Sequence, residues 1–232
     1  NQERKNMNSK NLFVQPISMV RSKTIEDERR ERYKRWITFF RRNPHRFIEF
    51  YFGIKLHPYQ ILIIYALQKS NLAYIVASRA AAKTWIIAVW TLTLAVLYPG
   101  IKVIACSKTI KQGALILSDK LSALRNTYPN VAREIEDIVT NSNINVATFH
   151  NGSTIRTLPS SDSARGARAN YILIEESRLV PKQILEQVIK PFLEVRTPPY
   201  RLKAEYENIP ELREEGRISY ITSAWYTAEY WY

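Results

Sequence analysis

Cysteine is almost absent from the sequence, since Cys106 is the only one among 232 residues. A disulfide framework is therefore excluded, and a lone thiol is typical of a protein in a reducing compartment. Because Cys106 lies near the end of the apolar stretch 102–107, we expect a buried core thiol at the end of a strand.

Long uninterrupted hydrophobic runs are also absent. The most apolar stretch, residues 84–97, is too short to span a bilayer and is interrupted by Thr91 and Thr93, so a buried helix is the better interpretation. The N-terminal segment does not have the basic, apolar and small-residue order of a signal peptide. We therefore expect a cytoplasmic protein that does not cross a membrane.

Acidic residues are scarce relative to basic ones. The chain has 34 Lys and Arg against 21 Asp and Glu, a formal net charge of +13. Residues 1–46 contain 13 of the basic residues and 5 of the acids, so this part alone carries +8. The excess favours a polyanionic partner such as nucleic acid, although a generally basic soluble protein has the same kind of composition.

Short apolar runs alternate with helical patterns along most of the chain. They predict helices over residues 24–43, 44–53, 58–70, 83–97 and 108–127, and strands over 72–77, 102–107, 171–177 and 218–224. Asn151 and Gly152, between two further strand patterns, predict a hairpin with a two-residue turn. This alternation is typical of an α/β fold with a mainly parallel sheet covered by helices on both faces.

A Lys-Thr pair, Lys83 and Thr84, stands between a predicted strand and a predicted helix. A phosphate-binding loop occupies this position, with a lysine that neutralises phosphates and a hydroxyl that holds Mg²⁺. Both glycines of the usual G-x-x-x-x-G-K-[ST] pattern are replaced here, by Ala77 and Ala82. If Ala82 has a left-handed backbone, its Cβ costs about 1 kcal/mol. By itself, a lysine before a threonine is common.

Two carboxylates, Glu175 and Glu176, follow four apolar residues of a predicted buried strand. Adjacent acids at a strand end repel each other unless a cation or a water network lies beside them. In nucleotide hydrolases with an additional catalytic glutamate, the first acid holds Mg²⁺ through water and the second polarises the attacking water. A pair of solvated loop acids is the alternative. The order of the Lys-Thr pair and the two glutamates favours a nucleotide site.

Five segments resemble, in order, the ATPase domain of large terminases, the genome-packaging motors of tailed bacteriophages. They are HPYQ, SRAAAKT, CSKTIKQG, SARGARANYILIEES and YITSAWY, and they cover the chain from about residue 57 to its C-terminus. The family commonly has an arginine-bearing, glycine-poor phosphate loop. The resemblance implies a RecA-like P-loop NTPase fold of the additional-strand class, with a mainly parallel sheet flanked by helices. It places a basic, partly helical N-terminal extension at 1–56 and the ATPase core at 57–232.

The resemblance also assigns roles to residues. Tyr59 and Gln60 match the adenine-recognising element, although Gln60 taken alone would be an exposed helix glutamine. Glu175 matches the carboxylate that holds Mg²⁺, partly through water, together with Thr84, and Glu176 matches the catalytic carboxylate. The phosphate loop consists of Ser78, Arg79, Ala80, Ala81, Ala82, Lys83 and Thr84. Within this loop, Arg79 matches the arginine that reaches the phosphates as a bidentate donor.

Two arginines, Arg165 and Arg168, flank Gly166 on a loop that we expect to be exposed. In a ring of subunits, the resemblance makes Arg165 the finger that reaches the γ-phosphate of a neighbour, with Arg168 as second choice. Either arginine could instead contact DNA phosphate, because guanidinium binds both anions with the same geometry.

The last predicted strand ends in a small, hydroxyl-bearing tripeptide. It resembles the family's coupling motif, which senses the γ-phosphate and transmits hydrolysis to the DNA-gripping parts; its residues are Thr222, Ser223 and Ala224. Ser107, after the second strand, and Gln112, on the following helix, are further candidates of the same kind.

The resemblance implies a Mg²⁺-dependent ATPase that drives double-stranded DNA into a viral capsid. The expected partners are double-stranded DNA, a portal protein that carries a homo-oligomeric ring of this chain, and the terminase small subunit. The expected location is the cytoplasm of the infected host cell, at the procapsid portal. Large terminases usually also carry a C-terminal nuclease domain, but its acidic two-metal cluster has no counterpart here, so no nuclease activity is expected.

Two alternatives stay open. A helicase-type DNA translocase would share the nucleotide core but requires a second RecA-like domain, which does not fit in 232 residues. A non-hydrolysing DNA-binding packaging scaffold would have a degenerate loop, with Ala77 and Ala82 as signs of decay. It predicts no nucleotide-dependent stabilisation against heat.

Overall fold

The computed structural model describes residues 24–78, 81–194 and 216–224. The α-helices are Ile25–Arg42 (α1), Pro44–Phe47 (α2), Pro58–Lys69 (α3), Lys83–Leu97 (α4), Ile110–Leu115 (α5), Ser122–Thr127 (α6), Pro129–Glu134 (α7) and Lys182–Ile184 (α8). Segments of π-helix cover Ile48–Phe52, Ile116–Leu121 and Leu185–Ile189, and 3₁₀ turns cover Asp162–Ala164, Ser177–Leu179 and Lys190–Phe192. The strands are Leu72–Ala77 (β1), Lys102–Ser107 (β2), Ile135–Thr140 (β3), Asn145–Phe149 (β4), Thr154–Pro159 (β5), Tyr171–Glu175 (β6) and Arg217–Ser223 (β7).

The chain divides into two compact units, residues 1–36 and 37–232. The described part of the first unit is the beginning of α1, which the cap at Thr24 stabilises. The Thr24 hydroxyl accepts a 3.2 Å hydrogen bond from the Asp27 amide, and the Asp27 carboxylate accepts one of 3.0 Å from the Thr24 amide. The predicted helix is therefore confirmed. The division between an extension and a core at residues 56 and 57 stays a prediction.

In the part of the chain that the structure describes, seven strands form one sheet in the order β1-β7-β6-β2-β5-β4-β3. The strands β1, β7, β6, β2 and β5 are parallel to one another, whereas β4 is antiparallel to both of its neighbours. Parallel neighbours need crossover connections, which the intervening helices supply. The predicted α/β class, with a mainly parallel sheet flanked by helices, is confirmed.

Hydrophobic clusters cover both faces of the sheet. The larger cluster includes α4, in which every residue of 86–95 is buried. A helix that is apolar all round is stable only when it is buried, and this confirms the prediction for residues 83–97. The smaller cluster packs the helical segment 182–192 against β2, β6 and β7. Cys106 lies there with its side chain fully buried, and burial raises the pKa of its thiol to about 12.

The β4–β5 hairpin is confirmed, but its turn is longer than predicted. The Phe149 amide donates a 3.0 Å hydrogen bond to the Ser153 carbonyl, which leaves three residues in the loop. Gly152 ends that loop with φ at 80°, the left-handed conformation that a three-residue hairpin loop requires at this position. Asn151 and Gly152 therefore predicted the position of the turn correctly and its length incorrectly.

No helix within residues 24–78, 81–194 and 216–224 is long and apolar enough to cross a membrane.

Candidate functional site

Four parallel strands end side by side at one edge of the sheet. Their last residues are Ala77 in β1, Ser223 in β7, Glu175 in β6 and Ser107 in β2. We call this line of strand ends the carboxyl edge. In open α/β sheets, ligands bind in the crevice beyond the carboxyl ends of the strands. The hydroxyl and carboxylate side chains predicted for the site on β2, β6 and β7 all lie there.

The predicted phosphate loop connects β1 to α4 at this edge. Arg79 and Ala80, both part of the prediction, lie outside the described residues. The Ala81 amide donates a 3.2 Å hydrogen bond to the Ser78 carbonyl. Ala82 follows with φ at 48° and ψ at 37°, a left-handed conformation. A residue with a Cβ adopts this conformation at a cost of about 1–2 kcal/mol, so the chain tolerates strain where the usual loop has glycine.

Helix α4 begins directly after the strained residue, and its first turn favours an anion. That turn contains no acidic residue, and Ala82 has no side chain that could cap it. The amides of a first turn lack partners within the helix and lie at the positive end of the helix dipole, which makes such a terminus a binding site for phosphate. The Lys83 amino group adds a positive charge and donates a 2.9 Å hydrogen bond to the Ser78 carbonyl. This hydrogen bond holds the Lys83 ammonium group beside the loop.

Glu175, the last residue of β6, is directly linked to the start of α4. The Thr84 hydroxyl donates a 2.5 Å hydrogen bond to Glu175 Oε1, and the Ser107 hydroxyl donates one of 3.1 Å to Oε2. Only 9% of Glu175 is exposed. Burial raises the pKa of this carboxyl above its usual value, and it outweighs the two hydrogen bonds, which lower it.

Glu176 faces the end of β7 instead. The Ser223 hydroxyl donates a 2.7 Å hydrogen bond to Oε1, and the Ser223 amide donates one of 3.3 Å to Oε2. Thr222 Oγ1 lies 3.5 Å from Oε2, and Arg178 Nε lies 3.4 Å from the same oxygen. Burial acts to raise the pKa of Glu176, but the Ser223 hydrogen bonds and the charges of Lys83 and Arg178 outweigh it, so the pKa is lowered.

The two adjacent carboxylates therefore have different environments and opposite pKa shifts. The backbone produces this separation, because Glu176 has a left-handed φ of 47° that turns its side chain away from the end of β6. In the described residues, only Ala82 and Glu176 combine a side chain with a positive φ. Both lie at the carboxyl edge, and strain of this kind concentrates at functional sites.

The donor set at this edge fits Mg²⁺, which the resemblance implies. Thr84 and Glu175 supply a hydroxyl and a carboxylate, the oxygen ligands that this ion prefers. The described residues contain no group of three or more His, Cys, Asp or Glu side chains arranged as a metal site. An ion here would take few protein ligands and fill its shell with phosphate oxygens and water, which is how Mg²⁺ usually binds.

Tyr59 and Gln60 lie in the first turn of α3, and Gln60 is buried rather than exposed. The Gln60 side-chain oxygen accepts a 2.9 Å hydrogen bond from the His57 amide as part of a capping box, and Gln60 Nε2 donates to the Tyr59 hydroxyl at 3.4 Å. These contacts fix the amide and explain its burial. The role of both residues toward adenine stays a prediction.

The two loop arginines have separate partners. Arg165 is exposed and binds Asp162 Oδ1 through Nε at 2.9 Å and through Nη2 at 2.7 Å. Arg168 Nε lies 3.4 Å from Glu194 Oε1, and Arg168 Nη1 donates to the Pro191 carbonyl at 3.4 Å. Each guanidinium is held by its own chain, so the finger role stays a prediction.

Two other predicted residues occupy less central positions. The backbone amide of Gln112 donates a 3.2 Å hydrogen bond to the Thr109 hydroxyl in the first turn of α5. Ala224 follows β7 directly and is exposed. Their predicted roles stay predictions, whereas Ser107 lies in contact with Glu175.

Sequence reasoning missed Arg178. Its guanidinium is mostly buried, with 14% of the side chain exposed, and it forms an ion pair with Glu176. The signal in the sequence was a single basic residue two positions after the glutamate pair, which is too common to stand out. The contact depends on the turn that Glu176 makes, and this turn is visible only in three dimensions.

No family model matches the chain, and no curated protein shows significant sequence similarity to it. Solved structures are similar in fold. The large terminase ATPase domain of Thermus phage P74-26 matches with a TM-score of 0.52 and 15% identity, over 79% of this chain and 86% of that domain. A mutant of the same domain gives a TM-score of 0.51 over 70% of its length. The large terminase of bacteriophage HK97 matches with a TM-score of 0.50 and 14% identity, over 73% of this chain but only 33% of that protein.

At such low identity the similarity establishes the fold. The chain has the same fold as the large terminase ATPase domain of Thermus phage P74-26. The resemblance first indicated by five short segments is confirmed at this level, and so is the predicted fold class.

Proposed function

We propose that this chain is the ATPase domain of a phage large terminase, which hydrolyses ATP to move double-stranded DNA into a capsid. The observation that supports the proposal most directly is the hydrogen bond between Thr84 and Glu175. It joins the first turn of α4 to the end of β6, although the two residues are 91 positions apart. A phosphate-binding helix end and an acidic strand end thus meet at one point, as ATP hydrolysis in P-loop enzymes requires.

Binding of the triphosphate follows from the loop and the helix. The amides of the first turn of α4 bind phosphate oxygens, and Lys83 moves from the Ser78 carbonyl to the outer phosphates. Arg79 contributes a second cation from the loop. Thr84, and Glu175 partly through water, would hold Mg²⁺, which would supply positive charge beside the phosphate oxygens. Tyr59 and Gln60 contact the adenine.

Glu176 orients the attacking water. Because its pKa is lowered, its carboxylate is ionised at neutral pH and accepts a hydrogen bond or a proton from that water. Both carboxylate oxygens have partners here, on Ser223 and Arg178. Oε1 accepts one hydrogen bond, from Ser223, and its second lone pair is available to the water, so the end of β7 and the reacting water bind the same carboxylate. This shared carboxylate is a physical basis for the coupling role of Thr222, Ser223 and Ala224.

Charge on the transferred phosphoryl group needs one more cation. Arg165 is exposed, and among the residues that the structure describes its guanidinium binds only the exposed Asp162. A surface ion pair of this kind is worth about 1 kcal/mol or less, so Arg165 can leave it for a stronger anion. We propose that it reaches the γ-phosphate of the neighbouring subunit in a ring on the portal protein. The terminase small subunit and double-stranded DNA are the other proposed partners, and the host cytoplasm at the procapsid is the proposed place of action.

The alternative of a degenerate loop is less favoured. Ala82 adopts the left-handed conformation although it is not glycine, so the replacement has not abolished the turn that leads into α4. What the methyl group changes is the strain stored in the loop and the space beside the phosphate.

Thermal unfolding with and without ATP and Mg²⁺ tests the proposal. A nucleotide at about 100 times its Kd stabilises the folded state by about 2.7 kcal/mol, which corresponds to an increase in Tm of about 5–10 °C for a chain of this size. Lys83→Ala is expected to abolish most of this increase, whereas Lys69→Ala, at the exposed end of α3, should retain it. Absence of any nucleotide-dependent increase in the unchanged chain would overturn the proposal in favour of the scaffold.

A further inference from the structure

A second polar cleft lies at the opposite edge of the parallel strands. It has a volume of about 280 Å³ and is lined chiefly by Lys102 and Ile104 of β2, Thr154 and Arg156 of β5, and Gly166 and Arg168 of the loop before β6. We call it the basic cleft. Lys102 and Thr154 are the first residues of their strands and are paired in the register, so the cleft opens at the amino-terminal edge.

The basic cleft is separate from the nucleotide site. Strand β2 runs from Lys102 at the cleft to Ser107 at the carboxyl edge. Five residue steps of about 3.3 Å place these residues roughly 16 Å apart. A phosphate bound by Lys83 therefore does not reach the cleft, and any anion bound there is a different group.

The charges of the cleft are unbalanced. Lys102, Arg156 and Arg168 are all exposed, and Arg168 Nε lies 3.4 Å from the Glu194 carboxylate. Within the described ranges, the side chains of Lys102 and Arg156 form no salt bridge. Arg156 lies within the sheet, on β5, where it is paired with Ile104 on β2 and with Val146 on β4. Three cations around one concavity repel each other unless an anion lies between them.

The chemistry of the lining decides what that anion is. The volume of about 280 Å³ lies at the lower end of the range for small-molecule pockets, about 300–1,000 Å³, and accommodates a phosphate group. Two guanidinium groups and an ammonium group are the donors that phosphate recognition uses, because guanidinium binds two oxygens at once. The formal net charge of +13 adds a favourable field for a polymer of phosphates.

We propose that the basic cleft binds a backbone phosphate of double-stranded DNA through Lys102, Arg156 and Arg168. The choice of duplex DNA rests on the proposed function, whereas the choice of a phosphate rests on the cleft itself. The contact is independent of base sequence, since the cleft offers cations and no surface that could enter a groove to read base edges.

The loop that carries the arginines connects the two edges. At its beginning the Ser160 amide donates a 2.8 Å hydrogen bond to the Ser107 carbonyl at the carboxyl edge. At its end the Asn170 side chain accepts a 2.9 Å hydrogen bond from the Lys102 amide at the cleft. Arg165 and Arg168 therefore have different tasks on one segment: Arg168 holds DNA in the cleft, and Arg165 is left for the neighbouring nucleotide. A displacement of this segment would change the contacts at both edges.

The test is a salt titration of DNA binding, measured by fluorescence anisotropy with the complete chain and labelled duplexes of two unrelated sequences. The variant K102Q/R156Q removes two charges and leaves the loop arginines in place. Each lost phosphate contact flattens the slope of log K against log salt by about 0.9, and the cleft holds one phosphate, so the slope should flatten by about 0.9. Between 50 and 200 mM salt, the unchanged chain should therefore lose about three- to four-fold more affinity than the variant, with both sequences. R168Q leaves two of the three cations in place and should flatten the slope by less.

The matched control removes charges from the other face. K55Q/R133Q takes two exposed basic residues from segments that pack on the opposite side of the sheet. Net charge falls equally in both double variants, so a general loss of basicity predicts the same change in both. Equal slopes in the two variants would overturn the proposal. So would a loss of inorganic phosphate binding, measured by calorimetry, without a change in DNA binding, because the cleft would then take a free anion.

The two proposals fail separately. If the unchanged chain binds DNA with a slope that K102Q/R156Q does not change, and ATP and Mg²⁺ increase the Tm of both proteins, the cleft proposal fails and the ATPase proposal stands. If the slope flattens as expected while ATP and Mg²⁺ stabilise neither protein, the cleft proposal stands and the ATPase proposal fails.

Discussion

The hydroxyl of Ser223 donates a 2.7 Å hydrogen bond to the carboxylate of Glu176, 47 residues earlier in the chain. The first residue ends β7, and the second follows β6, so strand pairing brings them together. The bond ties the proposed catalytic carboxylate to the proposed coupling motif. It also helps to hold the pKa of Glu176 below its usual value, against the effect of burial.

Replacing Glu176 tests the catalytic role. In Glu176→Gln the side chain keeps its shape but can no longer take up a proton or carry charge. A positioned general base contributes about 10²–10⁴-fold to a rate, so kcat for ATP should fall by this factor in an assay with DNA and partner proteins. The ATP-dependent increase in Tm should remain, because Glu176 is not among the proposed phosphate or Mg²⁺ ligands. Glu186→Gln, which breaks an exposed ion pair with Lys190, is the control and should leave kcat unchanged. Unchanged turnover in Glu176→Gln would defeat the assignment.

Removing the Ser223 hydroxyl should move the acidic limb of the pH–rate profile. The hydrogen bonds from Ser223 favour the ionised form of Glu176, so Ser223→Ala raises the pKa of this carboxyl. Glu176 is then protonated at a higher pH than in the unchanged chain, and kcat/KM for ATP starts to fall earlier as the pH decreases. A purely structural serine would lower activity by the same factor at every pH.

Ser107→Ala is the matched control for that experiment. Ser107 also ends a strand at the carboxyl edge, but it donates to Glu175 rather than to Glu176. We expect this variant to alter the concentration of Mg²⁺ needed for turnover and to leave the acidic limb set by Glu176 in place. If both serine variants shift the limb equally, the two carboxylates titrate as one unit and the separation of their roles is wrong.

Glu175→Gln should stabilise the chain while removing its response to Mg²⁺. Burial and the neighbouring Glu176 disfavour the ionised form of Glu175, and its pKa is raised accordingly. At pH values above the raised pKa, the neutral amide avoids that cost, and each 1 kcal/mol gained raises Tm by about 2–4 °C for a chain of this size. As the pH falls through the raised pKa, the carboxyl of the unchanged chain becomes protonated and the advantage of the variant disappears. Thermal scans of both proteins over a pH series measure the difference in Tm. A lower Tm for Glu175→Gln than for the unchanged chain at neutral pH would contradict the prediction.

The sequence alone predicted the elements that are apolar over most of their length. These are helix α4 and strands β1, β2, β6 and β7. Strand β1 was visible although it is an edge strand in which only Ala73 is fully buried. Strand β3, at the other edge, was missed because Glu136 and Asp137 interrupt its apolar residues.

The site was predictable in its residue types and not in its contacts. Lys83, Thr84 and the two glutamates stood out because each pair ends or begins an apolar element. Their division of labour depends on long-range geometry: Glu175 meets Thr84 across 91 positions, and Glu176 meets Ser223 across 47. The cleft at Lys102 and Arg156 was invisible for the same reason, since strand register alone brings these two residues together.

Ala82 offers the sharpest test of the altered phosphate loop. Its left-handed backbone costs a residue with a Cβ about 1–2 kcal/mol, whereas glycine adopts it freely. Ala82→Gly removes that strain but adds about 0.4–1 kcal/mol of conformational entropy to the unfolded chain, so we expect a net stabilisation of up to about 1.5 kcal/mol. Ala81→Gly is the matched control one residue earlier, where φ is not positive. It has only the entropic cost and should destabilise the chain by roughly 0.4–1 kcal/mol. Chemical denaturation measures the change in the free energy of unfolding for both variants. A destabilised Ala82→Gly would mean that the loop does not store this strain.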